Sequence, residues 1–113
     1  MASSSPAKYS LPPSASRKEL VQIFARIAED CRGGRITAAL VLAAGKLMLS
    51  RGELSAGVHG LSEAGCPPGF RLAFVLAGPD LLDEFSRAED AGLRDGISMR
   101  VFFNEQNALA WLG

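Results

Sequence analysis

Histidine occurs once in these 113 residues, tryptophan and tyrosine once each, and cysteine only twice. A single imidazole and two thiols fall short of the ligand set of a structural zinc site. Cys31 and Cys66 also stand far apart in the chain, so neither a zinc knuckle nor a C-x-x-C redox pair is written here. Both are expected as reduced, semi-buried thiols. Charge of one sign is missing as well, because 12 Lys and Arg balance 12 Asp and Glu. A net charge of zero removes the long-range attraction to phosphate on which nucleic-acid binders depend, so no nucleic-acid partner is expected. No apolar run approaches the roughly 20 residues of a membrane span, and the N-terminus lacks the continuous apolar stretch of a secretory signal. The expectation is a cytoplasmic protein with no membrane span.

What is present is enough apolar material for one core. Hydrophobic residues make up 48% of the chain and charged residues 21%, which suits a single folded domain. Residues 1–15 are rich in Ser, Ala and Pro and read as a flexible arm, apart from a short extended piece at 8–11. The domain proper is expected over 16–113. Ser16 and Glu19 match the S-x-x-E capping box, and Leu20, Ile23, Phe24, Ile27 and Cys31 follow at helical spacing. Gly33 and Gly34 should stop that helix.

The run I-T-A-A-L-V-L-A-A over 36–44 is apolar throughout, as in a central strand covered on both faces. Ser50 and Glu53 form a second capping-box pattern ahead of Leu54, Val58 and Leu61, and Gly65, Pro67 and Pro68 end that helix. A second apolar strand covers 71–77. The G-P-D sequence at 78–80 opens a third helix with Leu81, Leu82, Phe85 and Ala88 inward, and Gly92 and Gly96 bracket its exit. A third strand covers 98–103. Asn104 caps a last helix that Ala108, Leu109, Trp111 and Leu112 dock to the core. Helices and strands that alternate in this way imply parallel strands joined by right-handed crossovers. The expected fold is a small α/β sandwich with a mostly parallel sheet of three to four strands and four helices.

The stretch G-I-S-M-R-V-F-F-N-E-Q-N-A-L-A-W-L at 96–112 resembles the end of the SpoIIAA-like (STAS/SEC14-related) family. The helix over 81–93 and the strand R-L-A-F-V-L-A before it are also similar to that family, so the resemblance spans about 16–113. These are packing motifs, and they speak to fold more than to activity. Members typically open with two strands before the first helix, where this chain offers only the piece at 8–11. In the anti-sigma-factor antagonists of the family, a kinase phosphorylates the hydroxyl directly before a glycine at the start of the helix after the central strand. Here that stretch reads Leu49, Ser50, Arg51, Gly52, with arginine in the acceptor position. The resemblance therefore implies a phospho-switch that is lost or moved to Ser50.

A phosphate on Ser50 would sit at a helix N-terminus with Lys46 and Arg51 nearby to pair with it, while capping alone also explains the serine. His59 has Glu63 four residues on, which does not complete a metal site, and reads as an exposed or cap-side histidine. The acids Asp80, Asp83, Glu84, Glu89 and Asp90 read as a solvated helix face. Gly45 and Gly52 flank a loop after a central strand, where open α/β sheets bind ligands, but they match no nucleotide-binding pattern. No nucleophile, base and orienter set is visible, so no catalytic residue, metal or cofactor is expected. The expected function is a non-catalytic STAS-like interaction or regulatory module that docks a protein partner through Lys46, Ser50, Arg51 and His59. The alternative is a carrier of a small ligand or lipid. A homodimer is a further option, in which an exposed sheet edge pairs with a second copy unless the 1–15 arm covers it.

Overall fold

Apolar runs and amphipathic stripes alternate along the chain, and the computed structural model shows how they assemble over residues 6–32, 36–43, 45, 52–78 and 82–113. Strand β1 spans Ala7–Leu11, β2 Ala38–Ala43, β3 Phe70–Val75 and β4 Ile97–Phe102. Helices α1 (Arg17–Arg32), α2 (Glu53–Glu63) and α3 (Leu82–Arg94) connect them, and α4 (Glu105–Leu112) follows β4. All pairings are parallel and the spatial order is β1-β2-β3-β4, so every strand lies beside its neighbour in sequence. The fold class read from the sequence holds.

That order places the three connecting helices on one face. Tyr9, Val41 and Phe74 stand in register across the first three strands, on the face that meets Leu20, Phe24 and Ile27 of α1, Leu54 and Val58 of α2, and Phe85 of α3. The alternate residues Leu40 and Ala73 point the other way, to Ala108 and Leu112 of α4. β2 is thus covered on both sides, as its unbroken apolar run requires. Arg71 fastens α4 by donating to the Trp111 carbonyl at 3.0 Å while its guanidinium lies 5.8 Å from the indole centroid.

Three expectations need correcting. The domain does not start at residue 16, because the extended piece read at 8–11 is the edge strand β1, in which Tyr9 and Leu11 alternate inward and bury almost completely. The Tyr9 hydroxyl donates to Asp30 of α1 at 2.6 Å, which locks the strand to the helix behind it. Cys31 and Cys66 are not free thiols. They form a disulfide, since folding brings the end of α1 and the turn after α2 to a Cα–Cα distance of 5.5 Å. Gly92 does not bracket an irregular exit either. It lies inside α3, where a side-chain carbon would come within 2.8 Å of the Ile97 carbonyl oxygen, so close approach of helix and strand is what demands glycine.

Smaller differences concern ends and faces. At α1 the Glu19 carboxylate takes both Ser16 donors, the backbone N–H and the hydroxyl, each at 2.7 Å, so the serine gives where an accepting cap was expected. Asn104 caps α4 as read, accepting from the Asn107 N–H at 2.8 Å. Leu82 and Leu109 were expected inward but are 40% and 39% exposed. Trp111 is half-buried against Phe102, with ring centroids 5.8 Å apart. The expected stop at Gly33 and Gly34 and the opening at Pro79, Asp80 and Leu81 lie outside the described residues.

Candidate functional site

α1 and α2 run side by side over the same sheet face, and the seam between them does not close. Arg17, Leu20, Val21, Phe24, Ala25 and Ala28 form one stripe of α1, facing Gly52, Glu53, Ala56, Gly57, Gly60 and Leu61 of α2 across a groove of about 700 Å³. The small side chains make the space. Six of the twelve lining positions are alanine or glycine, five of them on helix faces where a leucine would have filled the gap. Phe24 forms part of the floor, and its ring packs so tightly over Gly57 that a side-chain carbon there would stand 2.6 Å away. Beneath it the aromatic stack continues to Phe74 at 6.3 Å and on to Phe85 at 5.0 Å. Val21 remains 55% exposed on the rim.

The mouth of the groove is polar. Arg17 and Glu53 pair across it at 3.7 Å, and the arginine side chain is 78% exposed. Gly52, in the left-handed region at φ 85°, is the N-cap of α2, and its N–H donates to Glu84 of α3 at 3.0 Å. Glu84 also accepts from Arg87 at 3.1 Å. It is therefore not simply a member of a solvated face, because it fastens the start of α2 to α3. Of the other acids expected on that face, Asp83 and Asp90 are exposed and Glu89 is half-buried, with burial pushing its carboxyl up against the opposing pull of Arg100. Asp80 lies outside the described residues.

Lys46, Ser50 and Arg51, the core of the expected docking patch, also lie outside the described residues. Among the described residues α2 begins at Glu53 behind its N-cap Gly52, which makes no side-chain cap bond. The structure places the fourth member of the patch, His59, on the α3 side of α2. Its Nδ1 donates to Asp95 at 3.1 Å and its Nε2 lies 3.6 Å from Glu63. A carboxylate only accepts, which sets the proton on Nδ1. The hydrogen bond to Asp95, that acid's charge and then Glu63 hold the imidazole above its ordinary range. The Asp95 partner sits two residues before β4, at the end of the sheet where strands begin, whereas Gly52 and Glu53 stand at the opposite end of α2.

The chain was compared with models of known protein families, with curated proteins and with solved structures, and it matches none of them. Among the described residues no group of three or more His, Cys, Asp or Glu is gathered to hold a metal ion, and no helix is long and apolar enough to cross a membrane. Reasoning from the sequence missed both the groove and the disulfide. The available signal for the groove was the recurrence of Ala25 and Ala28 in one helix and of Ala56, Gly57 and Gly60 in the next, each at spacings that share a face.

Proposed function

We propose that this domain is a non-catalytic, STAS-like interaction module that receives an apolar segment of a protein partner in the α1–α2 groove. The observation that carries the reading is the groove itself, an apolar trough with Val21 exposed on its rim and an ion pair at its mouth. From Arg17 to Ala28 it follows eleven helical steps, about 17 Å at 1.5 Å per residue, which is room for roughly three turns of an amphipathic helix. The resemblance of residues 96–112 to the SpoIIAA-like family supports the same class of function, as does the absence of a residue trio in the sequence that could act as nucleophile, base and orienter. Within this reading the kinase-controlled hydroxyl of that family is lost here or moved to Ser50. A cytoplasmic home remains part of the proposal, and it rests on the sequence alone.

The volume of the groove also favours the second reading, a carrier of a small apolar ligand or lipid, because about 700 Å³ falls within the span of small-molecule pockets. One experiment separates the two. A photo-crosslinking residue at Val21 traps the occupant in cells. The trapped protein is then purified and titrated against wild type and Ala25→Trp, a variant that fills the trough from an exposed position. A tenfold loss of affinity in the variant is expected, and undiminished binding refutes the reading. Trapping of a lipid instead, with a thermal shift that Ala25→Trp abolishes, selects the carrier.

A further inference from the structure

We infer that the Cys31–Cys66 pair is a redox control on the α1–α2 groove, an inference that rests on the groove being the binding site. The lining stripe of α1 steps through Leu20, Phe24 and Ala28, and the next position on it is Cys31. On α2 the last lining residue is Leu61, and its carbonyl accepts the Cys66 N–H at 3.1 Å. Gly65, at φ 100°, donates to the Ser62 carbonyl at 3.1 Å, which completes the paired bonds of a Schellman turn. That turn seats Cys66 beside Leu61 by backbone bonds that do not need the disulfide. The two sulfurs therefore close the groove at the end opposite the Arg17–Glu53 pair.

The fastenings at the two ends are unequal. At one end the arginine of a 3.7 Å ion pair stays largely exposed to water, which screens the pair, while the other end is covalent. Between them Phe24 packs over Gly57 as a tight central contact on which the helices can pivot. Cutting the covalent end leaves that contact as the fulcrum and lets the C-terminal ends of α1 and α2 part. Both cysteines are largely shielded, but Cys66 is followed by the exposed Pro67 and Pro68, which is the side open to a reductant. A thiolate of a dithiol reductant attacks the Cys66 sulfur, the Cys31 sulfur leaves as thiolate and takes up a proton, and the second thiol of the reductant resolves the mixed disulfide. Two electrons pass to the pair, and the reductant departs as a cyclic disulfide.

The test is a titration of the intact chain with 8-anilinonaphthalene-1-sulfonate, oxidised and after reduction by dithiothreitol. The C31A/C66A variant is run in both buffers, and Ala25→Trp serves as the groove-filled control. The expected result is an apparent Kd that differs more than threefold between oxidised and reduced wild type, with C31A/C66A matching the reduced protein in both buffers. A Kd constant within threefold, with fluorescence that Ala25→Trp abolishes, overturns the redox control while leaving the groove standing. Fluorescence that survives Ala25→Trp shows that the groove reading itself has failed, and the inference falls with it. Loss of helical circular dichroism on reduction also overturns it, since the bond would then be a staple for the whole fold rather than a control on one groove.

Discussion

Among the described residues three glycines sit inside helices, and replacing each by alanine should give three different answers. In a helix interior the exchange removes backbone freedom from the unfolded chain and gains about 1 kcal/mol when nothing opposes it. Gly60 has no atom within 4 Å of where the new carbon would stand, so Gly60→Ala should gain nearly all of that and raise Tm by about 4 °C. At Gly92 the same carbon would stand 2.8 Å from the Ile97 carbonyl oxygen and 3.2 Å from Val58. The obstruction is backbone at the first residue of β4, which cannot rotate away. Overpacking of this kind costs about 2 kcal/mol, so Gly92→Ala should end about 1 kcal/mol below wild type and about 2 below Gly60→Ala. Gly57 lies between them, because the atoms in the way, at 2.6 Å, belong to the Phe24 ring, which can tilt toward the open groove. Gly57→Ala should be near neutral in stability and narrow the groove. Urea denaturation monitored by circular dichroism gives all three midpoints. If Gly92→Ala proves as stable as Gly60→Ala, the close approach of α3 to β4 is wrong, and the packing of that edge with it.

Removing the bridge in C31A/C66A frees a loop with a sequence separation of 35, which by chain entropy costs about 4 kcal/mol and should lower Tm by about 15 °C. A loss under 5 °C on calorimetry would show that the bond adds little to the oxidised fold. His59, with its pKa raised chiefly by Asp95, should titrate by NMR above the ordinary imidazole range and move back toward it in Asp95→Asn. Because the folded pKa is the higher one, the stability it contributes is complete below the unfolded value near pH 6.5 and is lost as pH climbs through the folded value. An unshifted His59 in the wild type would contradict the pairing. Tyr9→Phe removes the hydrogen bond to Asp30 and should cost about 1 kcal/mol in denaturant titration, with no change at all counting against the lock between β1 and α1.

The α/β order was legible because helices and central strands carry strong periodicity. The stripe of Leu20, Ile23, Phe24, Ile27 and Cys31 buries as spaced, and the unbroken run of β2 lies between two layers. β1 was legible only as a short extended piece, for a compositional reason. Its inward Tyr9 and Leu11 are only two residues in a segment otherwise full of Ser and Pro, and a strand of five residues offers too few repeats of its period to stand out. The disulfide was illegible because a separation of 35 residues says nothing about where two helix ends meet in space. The hold on the start of α2 was illegible because the N–H of its N-cap, Gly52, is taken from outside by Glu84, a residue 32 positions away. The groove escaped notice because alanine and glycine look like ordinary helix filler until two such faces turn toward each other.

The arrangement in which every strand lies next to its predecessor has a consequence for how the domain assembles. Register partners such as Ala7 and Ala39, Ala38 and Arg71, or Phe70 and Ile97 are all roughly one β-α unit apart, so no early segment waits for a distant one. During synthesis each completed unit can dock on the one before it, from the N-terminal edge outward. The exception is the reverse side, where Leu40 and Ala73 face water until residues 105–112 emerge. For that interval the nascent chain presents a greasy surface, and the brief helix that arrives afterwards seals it.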